Sequence, residues 1–257
     1  MKTLKAIPDR LVVLTFDDGC KSDIEVVAPL LKTYGFGATF YVNDHSGAVS
    51  GWKSENYTTW SQIRRLHEMG FEIGNHTARH PGVCGLSDEA LIAELEQIEL
   101  RCSENGIDRP TTFCYPGFHF SAAAVKVLRS RGYQFARRGG FPEMPYHGEG
   151  ARGPAYDPAV HDPLLVPTTG FSGPNWGMDD LKWAVEQTRG GKAAVLCFHG
   201  VPDIEHSWVH TDPGVFKTYM DFLRDSGCTV IAMRGLGDYV DASNVPDDPN
   251  AKLEKAL

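Results

Sequence analysis

Short apolar runs alternate with longer amphipathic stretches along most of this chain. Leu11–Phe16 (LVVLTF) is apolar at nearly every position and ends in Asp-Asp-Gly, the pattern of a buried strand and its turn. Residues 22–34 carry apolar side chains at helical spacing and stop at Gly35, which predicts a helix with its C-cap. Residues 38–42 read as a second strand. Thr59 is placed to cap a helix that reaches Met69 and closes at Gly70. Residues 71–74 form a third strand that hands over to Asn75 and His76. Ser87 opens the longest helix, SDEALIAELEQIELRCSENG, whose early acids suit the positive end of the helix dipole. A strand over 111–115, a helix over 121–131 and a strand over 133–137 follow. Residues 164–167 suggest a sixth strand. A helix over 179–188, a strand over Ala193–Phe198, a helix over Pro213–Asp225 and a strand over 229–233 complete the series. The stretch 139–163, rich in Gly, Pro and His, reads as a long functional loop.

Strands alternating with helices imply a parallel sheet with right-handed crossovers, hence an α/β fold. The 257 residues suit one domain of barrel size, with a core over about 11–240 and a polar, loosely held tail over 242–257. Asp17, Asp18, His76, Tyr115, Arg137 and His199 all fall just past strand C-termini, where active sites of such folds lie.

Composition removes several functional classes. A net charge of −8 disfavours nucleic acid and anionic membranes as partners. No apolar run approaches the ~18 residues that span a bilayer. The start, MKTLKAIPDR, has no apolar leader segment, so the chain as it stands reads as cytoplasmic, or as periplasmic or secreted if a leader has been removed. The six cysteines show no C-x-x-C pair, which points away from a disulfide framework or a cysteine zinc site.

Three short segments carry chemistry. Thr15 to Gly19 reads T-F-D-D-G, and adjacent carboxylates at a strand end repel unless a cation or shared proton relieves them. Asn75 to His80 reads N-H-T-A-R-H, and on a helical turn its two histidines would face one way and share a metal. With Asp18 they make the three-ligand set of a catalytic zinc with an open position. His199 ends a late strand in V-L-C-F-H-G, placed to move a proton near neutral pH.

The order T-F-D-D-G, H-T-x-x-H, Y-P-G and H-G resembles the polysaccharide deacetylases (NodB-homology, carbohydrate esterase family 4) from about Leu11 to Tyr239. The resemblance implies a distorted (β/α) barrel of about seven parallel strands and one divalent metal. It also implies hydrolytic removal of acetyl groups from N- or O-acetylated carbohydrate. Carried over, Asp17 resembles the catalytic base, Asp18, His76 and His80 the metal ligands, and His199 the catalytic acid. Zinc is the first expectation for the ion, with cobalt or nickel able to substitute. Gly117, after Pro116, resembles the oxyanion donor through its backbone N–H.

The third motif departs from the family. Where an Arg usually stands two places before Pro there is Cys114, and Arg137 or Arg138 in F-A-R-R-G is the candidate replacement. The fourth motif, of Asp-x-x-Asp-Trp type, is not visible. Cys197 stands where the family often has Leu and is expected to line a small acetate pocket. Tyr115, Trp52, Tyr146 and Trp176 are candidate sugar-contacting residues. Trp60, Trp183 and Trp208 are read as packing, and His206 and His210 as facing solvent. Two other readings compete: hydrolysis of a small non-peptide amide, and a metal-bound sugar-binding pseudoenzyme.

Overall fold

The structure is a computed structural model that describes residues 3–46, 51–144 and 151–253. In chain order its elements are β1 (Leu11–Phe16), α1 (Ala28–Tyr34), β2 (Thr39–Val42), α2 (Trp60–Glu68), β3 (Glu72–Asn75), α3 (Asp88–Glu104), β4 (Thr112–Cys114), α4 (Ala122–Ser130) and β5 (Phe135–Arg137). They continue as β6 (Gly170–Phe171), α5 (Met178–Glu186), β7 (Ala193–Phe198), α6 (Pro213–Asp225) and β8 (Thr229–Ile231). Helix boundaries follow the caps in the sequence. Thr59, Ser87 and Ser121 each accept a hydrogen bond from the backbone N–H three residues on, and Gly35 ends α1 with φ 68°.

All eight strands pair in parallel, in the order β5-β4-β3-β2-β1-β7-β6, with β8 also on β1. β1 is shared: Leu11–Val13 pair with β8, while Thr15 and Phe16 pair with β2. Gly37 makes room for this crossover, since a Cβ there would lie 2.8 Å from the Ala232 nitrogen.

The sixth strand differs from expectation. Residues Pro163–Leu165 form a 3-10 turn and the strand proper is Gly170–Phe171. The segment between them closes the ring. Val166 exchanges backbone bonds with β5 through Ala136 O and Arg138 N, and Thr169 N–H then reaches Val195 O on β7. Pro167 has no N–H to donate to a ladder, which keeps the contact with β5 to one residue. The fold is therefore the expected distorted (β/α) barrel: among the described residues seven strands run in one path and β8 adds to β1.

Strands buried on both faces alternate between two cores. Leu11 and Val13 point into the barrel with Phe135, Val166, Ala193, Val195, Met233 and Leu236. Val12, Leu14 and Phe16 point outward beneath the helices, against Leu31, Ile63, Leu66 and Phe216. The same period of two decides where the polar residues go. On β1 it carries Thr15 and Asp17 inward; on β7, Cys197 and then His199; on β4 and β5, Cys114 and Arg137; and from β3, His76.

The expected functional loop and the C-terminal stretch both make contacts with the barrel. Tyr156, in the expected functional loop, is fully buried and exchanges two backbone bonds with Ala193. In the C-terminal stretch, Asp248 accepts from Asp162 N–H and Asn250 donates to Glu143, which ties residues 248–250 to the barrel. Among the described residues no helix is long and apolar enough to cross a membrane.

Candidate metal centre

Asp17 leaves β1 with its N–H bonded to Phe198 O, which locks the base of the T-F-D-D-G turn to β7. Asp18 (φ 73°) and Gly19 (φ 64°) then turn in the left-handed region, which brings Asp18 back over the barrel mouth. The histidine pair is not on a helical turn. His76 follows β3 directly, and the chain bends through Thr77 (φ 64°) and His80 (φ 58°). Asn43 holds this bend by donating to His76 O at 2.7 Å and Thr77 O at 2.8 Å, and Glu94 accepts from Arg79 N–H at 2.9 Å. Two left-handed residues thus achieve the convergence that a helix would give by spacing.

Asp18 Oδ1 lies 3.3 Å from His76 Nε2 and 3.5 Å from His80 Nε2. Each of these ligand atoms is within 4.8 Å of the others. His76 Nδ1 donates to Cys114 O at 2.8 Å, which fixes the ring and turns Nε2 toward Asp18. Burial holds the His80 pKa down at about 4, so its lone pair is available near neutral pH. Burial opposes charge on His76 too, but Asp18 and Asp17 outweigh it and raise its pKa. Asp18 Oδ1 is buried and receives no hydrogen bond. Three electron-pair donors that converge on one point, with an orphaned carboxylate oxygen among them, fit a divalent cation.

Two other groups, Asp17/Cys197/His199 and Asp17/His76/Cys114, also come together. Both need Asp17, whose Oδ2 receives the Arg137 guanidinium, and that positive charge repels a second cation. Burial, the larger effect, pushes both thiols well above their ordinary pKa and keeps them protonated.

Arg137 is fully buried, crosses the lumen from β5 and donates through Nη2 to Asp17 Oδ2 and to Cys114 Sγ. Its Nη1 donates to Thr168 Oγ1 at 2.9 Å. Cys114 and Cys197 each place Sγ 3.6 Å from Asp17 Oδ2, bracketing the carboxylate. Burial pushes the Asp17 pKa up, but the charges of Arg137, His76 and His199 win and hold it below the ordinary carboxylate value. His199 Nε2 is 3.9 Å from Asp17 Oδ2 and 3.8 Å from Asp18 Oδ2. Its Nδ1 is buried without a hydrogen-bond partner. Arg138 points away and binds Glu143 and the carbonyls of Gly139, Phe141 and Leu165.

Gly117 sits in the turn directly after β4, with φ 60°. Trp52 lies at the rim, its ring 5.2 Å from His80 and 5.0 Å from Tyr57. Two expected sugar contacts are corrected. Tyr115 falls on the outward phase of β4, is fully buried and donates to Leu164 O at 2.9 Å. Trp176 packs in the core, edge-on to Tyr219 at 5.1 Å, with Gly170 beneath it. Tyr146 lies outside the described residues. His206 does not face solvent freely: its ring lies 5.2 Å from Trp52 and 5.0 Å from Trp208. Trp208, read as packing, is 67% exposed.

Two residues escaped the sequence reading. His45 Nε2–H donates to Asp18 O at 2.6 Å, and its ring stacks on Tyr57 with centroids 4.1 Å apart. Asp23 is fully buried with neither carboxylate oxygen hydrogen-bonded, and burial, then Asp18 and Asp17, push its pKa well above the ordinary value. Neither stands at a strand end, and no spacing marks them.

An all-parallel α/β barrel with carboxylates and imidazoles gathered at its C-terminal mouth defines the class. Residues 5–136, just over half of the chain, match the polysaccharide deacetylase family, and the chain belongs to that family. It is similar to a chitin deacetylase of a Pestalotiopsis species, 30% identical over 120 residues, covering 47% of this chain and 38% of that protein. It is also similar to a peptidoglycan-N-acetylglucosamine deacetylase of Bacillus cereus, 28% identical over 127 residues, covering 49% and 55%. The chain thus spans about half or less of the length of these curated relatives. In structure it resembles the chitin deacetylase of Colletotrichum lindemuthianum, with a TM-score of 0.60 at 19% identity over 95% of this chain and 94% of that one.

Proposed function

We propose that this chain is a metal-dependent hydrolase that removes acetyl groups from N- or O-acetylated carbohydrate. The observation that carries the reading is the division of labour between adjacent carboxylates. Asp18 faces two imidazoles, while the nearest charged partner of Asp17, one residue away, is a buried guanidinium. One carboxylate is set to hold an ion and the other to act beside it.

Asp18, His76 and His80 would hold the ion, zinc first and cobalt or nickel as substitutes. When bound, it supplies Lewis acidity toward an acetyl carbonyl and acidifies a water. Asp17, kept ionised by Arg137, accepts the proton of the attacking water. His199, 3.9 Å from Asp17 and 3.8 Å from Asp18, delivers a proton to the departing amine or hydroxyl. The N–H of Gly117 is the candidate donor to the developing oxyanion. Cys114 and Cys197 narrow the space beside Asp17, which suits a group as small as acetyl. Trp52, at the rim, offers a ring face to the sugar.

The test is acetate release from N-acetylglucosamine oligomers and O-acetylated xylan fragments, before and after chelation, with zinc, cobalt or nickel restored. Release that stops on chelation and returns with an ion is expected. No release from any substrate with any ion would overturn the reading.

A further inference from the structure

The loop after His199 is pinned by a set of hydrogen bonds centred on Asp203, yet it turns two large apolar side chains outward. Asp203 Oδ1 accepts from the N–H groups of Glu205 at 3.0 Å and His206 at 2.7 Å. His210 Nδ1 lies 3.1 Å from Asp203 O, Thr211 N–H reaches Gly200 O, and Val209 is buried with its N–H on His206 O. Gly173 lets the loop settle closely, since a Cβ there would meet Trp208 O at 2.9 Å. From this fixed loop Ile204 and Trp208 project 69% and 67% exposed. Burying either side chain would stabilise the fold. Packing within this chain therefore does not account for where they point.

Trp208 is the outer end of a row of rings. Its centroid lies 5.0 Å from His206, His206 lies 5.2 Å from Trp52, and Trp52 lies 5.2 Å from His80, a candidate metal ligand. The row runs from the candidate centre to the surface. In sequence the tryptophan is flanked by Glu205, His206, Ser207 and His210, and the His206 ring packs beside it, so its surroundings are polar and not a broad apolar run. An aromatic face edged by polar groups matches a sugar ring, whose C–H face is apolar and whose rim carries hydroxyls.

We propose that Trp208 is a carbohydrate platform. It holds a neutral sugar unit some way along the chain from the acetylated unit at Asp17 and His199. This inference rests on the deacetylase reading and sharpens it: the substrate is an oligosaccharide or polysaccharide, and a single sugar or small amide leaves the platform empty. Because the loop is already fixed by its inward bonds, little ordering entropy is lost when a ring settles on it.

Two measurements separate the platform from the chemistry. The first is kcat/KM for acetate release from N-acetylglucosamine and from its tetramer. The tetramer-to-monomer ratio should fall about tenfold in Trp208→Ala and mostly survive in Trp208→Phe, which keeps a ring. The second needs no turnover: native electrophoresis through gels containing glycol chitin or acetylxylan. The wild-type chain should be retarded and Trp208→Ala should not. Trp208-dependent retardation without acetate release would sink the deacetylase reading and leave the platform standing. Acetate release with an unchanged ratio and unchanged migration in Trp208→Ala would overturn the platform alone. An exposed side chain is replaced, so the variant's fold is not at stake.

Discussion

Arg137 and Asp17 form an ion pair across the barrel lumen in which the guanidinium is fully buried and the carboxylate nearly so. Their strands are not neighbours; β5 and β1 are separated by β4, β3 and β2. Only the inward phase of both strands brings the two side chains together. Removing Arg137 leaves a buried carboxylate without its cation, and burial then pushes the Asp17 pKa upward. Asp17 must be ionised to accept a proton, so activity is lost as pH falls through its pKa. In Arg137→Ala the acidic limb of the pH–rate profile should therefore move to higher pH, with a rate loss of about 10- to 100-fold near neutrality. Arg137→Lys should recover only part, because an ammonium cannot reach Thr168, Cys114 and Asp17 as a fork does. An unmoved limb in Arg137→Ala would end the assignment.

Arg138 should behave in the opposite way. It has no contact with Asp17, but it satisfies the carbonyls of Gly139, Phe141 and Leu165 and pairs with Glu143. Arg138→Ala should leave turnover nearly unchanged in folded protein and lower stability by about 3 kcal/mol. Burial pushes the Glu143 pKa up, but bonds from His161 and Arg138 outweigh it and hold it at about 2. A depressed carboxylate contributes stability above its ordinary value of 4.5, lost as pH falls toward 2. The stability gap between wild type and Arg138→Ala should thus be full above pH 4.5 and shrink below it, as chemical denaturation at several pH values would reveal.

These two arginines mark how far the sequence could be read. Strand ends located Asp17, Asp18, His76 and His199, because parallel α/β folds deliver side chains to one rim whatever the barrel's details. The phase of β5 was not legible: strands buried on both faces are apolar throughout, so F-A-R-R does not say which arginine faces inward. Tyr115 failed for the same reason, being one residue out of phase with Cys114. The histidine pair was found through a helical spacing that is absent, and its convergence comes from backbone bends at Thr77 and His80. The short β6 was misplaced because the apolar residues Leu164 and Leu165 belong to a buried 3-10 turn, while the strand proper, Gly170–Phe171, is too short to show a pattern. Trp176 and Trp208 exchanged roles, since a tryptophan in a loop carries no sign of whether that loop packs inward.

Asp17→Asn should separate chemistry from ion binding. The substitution keeps the volume between Cys114 and Cys197 and can still accept from Arg137, while Asp18, His76 and His80 are untouched. Turnover should fall by ~10²–10⁴-fold. The ion content of purified protein, measured by elemental analysis, should stay near wild type. Parallel loss of the ion would make Asp17 a ligand instead of the base.

His45 supports the third ligand through the backbone. Asp18 adopts φ 73°, a conformation that a non-glycine residue holds only when its surroundings fix it, and the His45 N–H bond to Asp18 O is one such restraint. The His45 ring lies nearly parallel to Tyr57, at 4.1 Å, and to Trp52, at 5.5 Å. His45→Phe keeps a ring in that stack and removes the donor. Without the bond, Asp18 can relax toward right-handed backbone and swing its carboxylate off the two imidazoles. Zinc affinity, measured by competition with a fluorescent chelator, should weaken about 10- to 100-fold, as expected when a group that orients a ligand is removed. His45→Gln offers an amide N–H from a side chain of similar reach and should recover part of the affinity. A structural role in the stack alone predicts the reverse order, with Phe the milder change. Wild-type zinc affinity in His45→Phe would show that the Asp18 conformation stands without this bond.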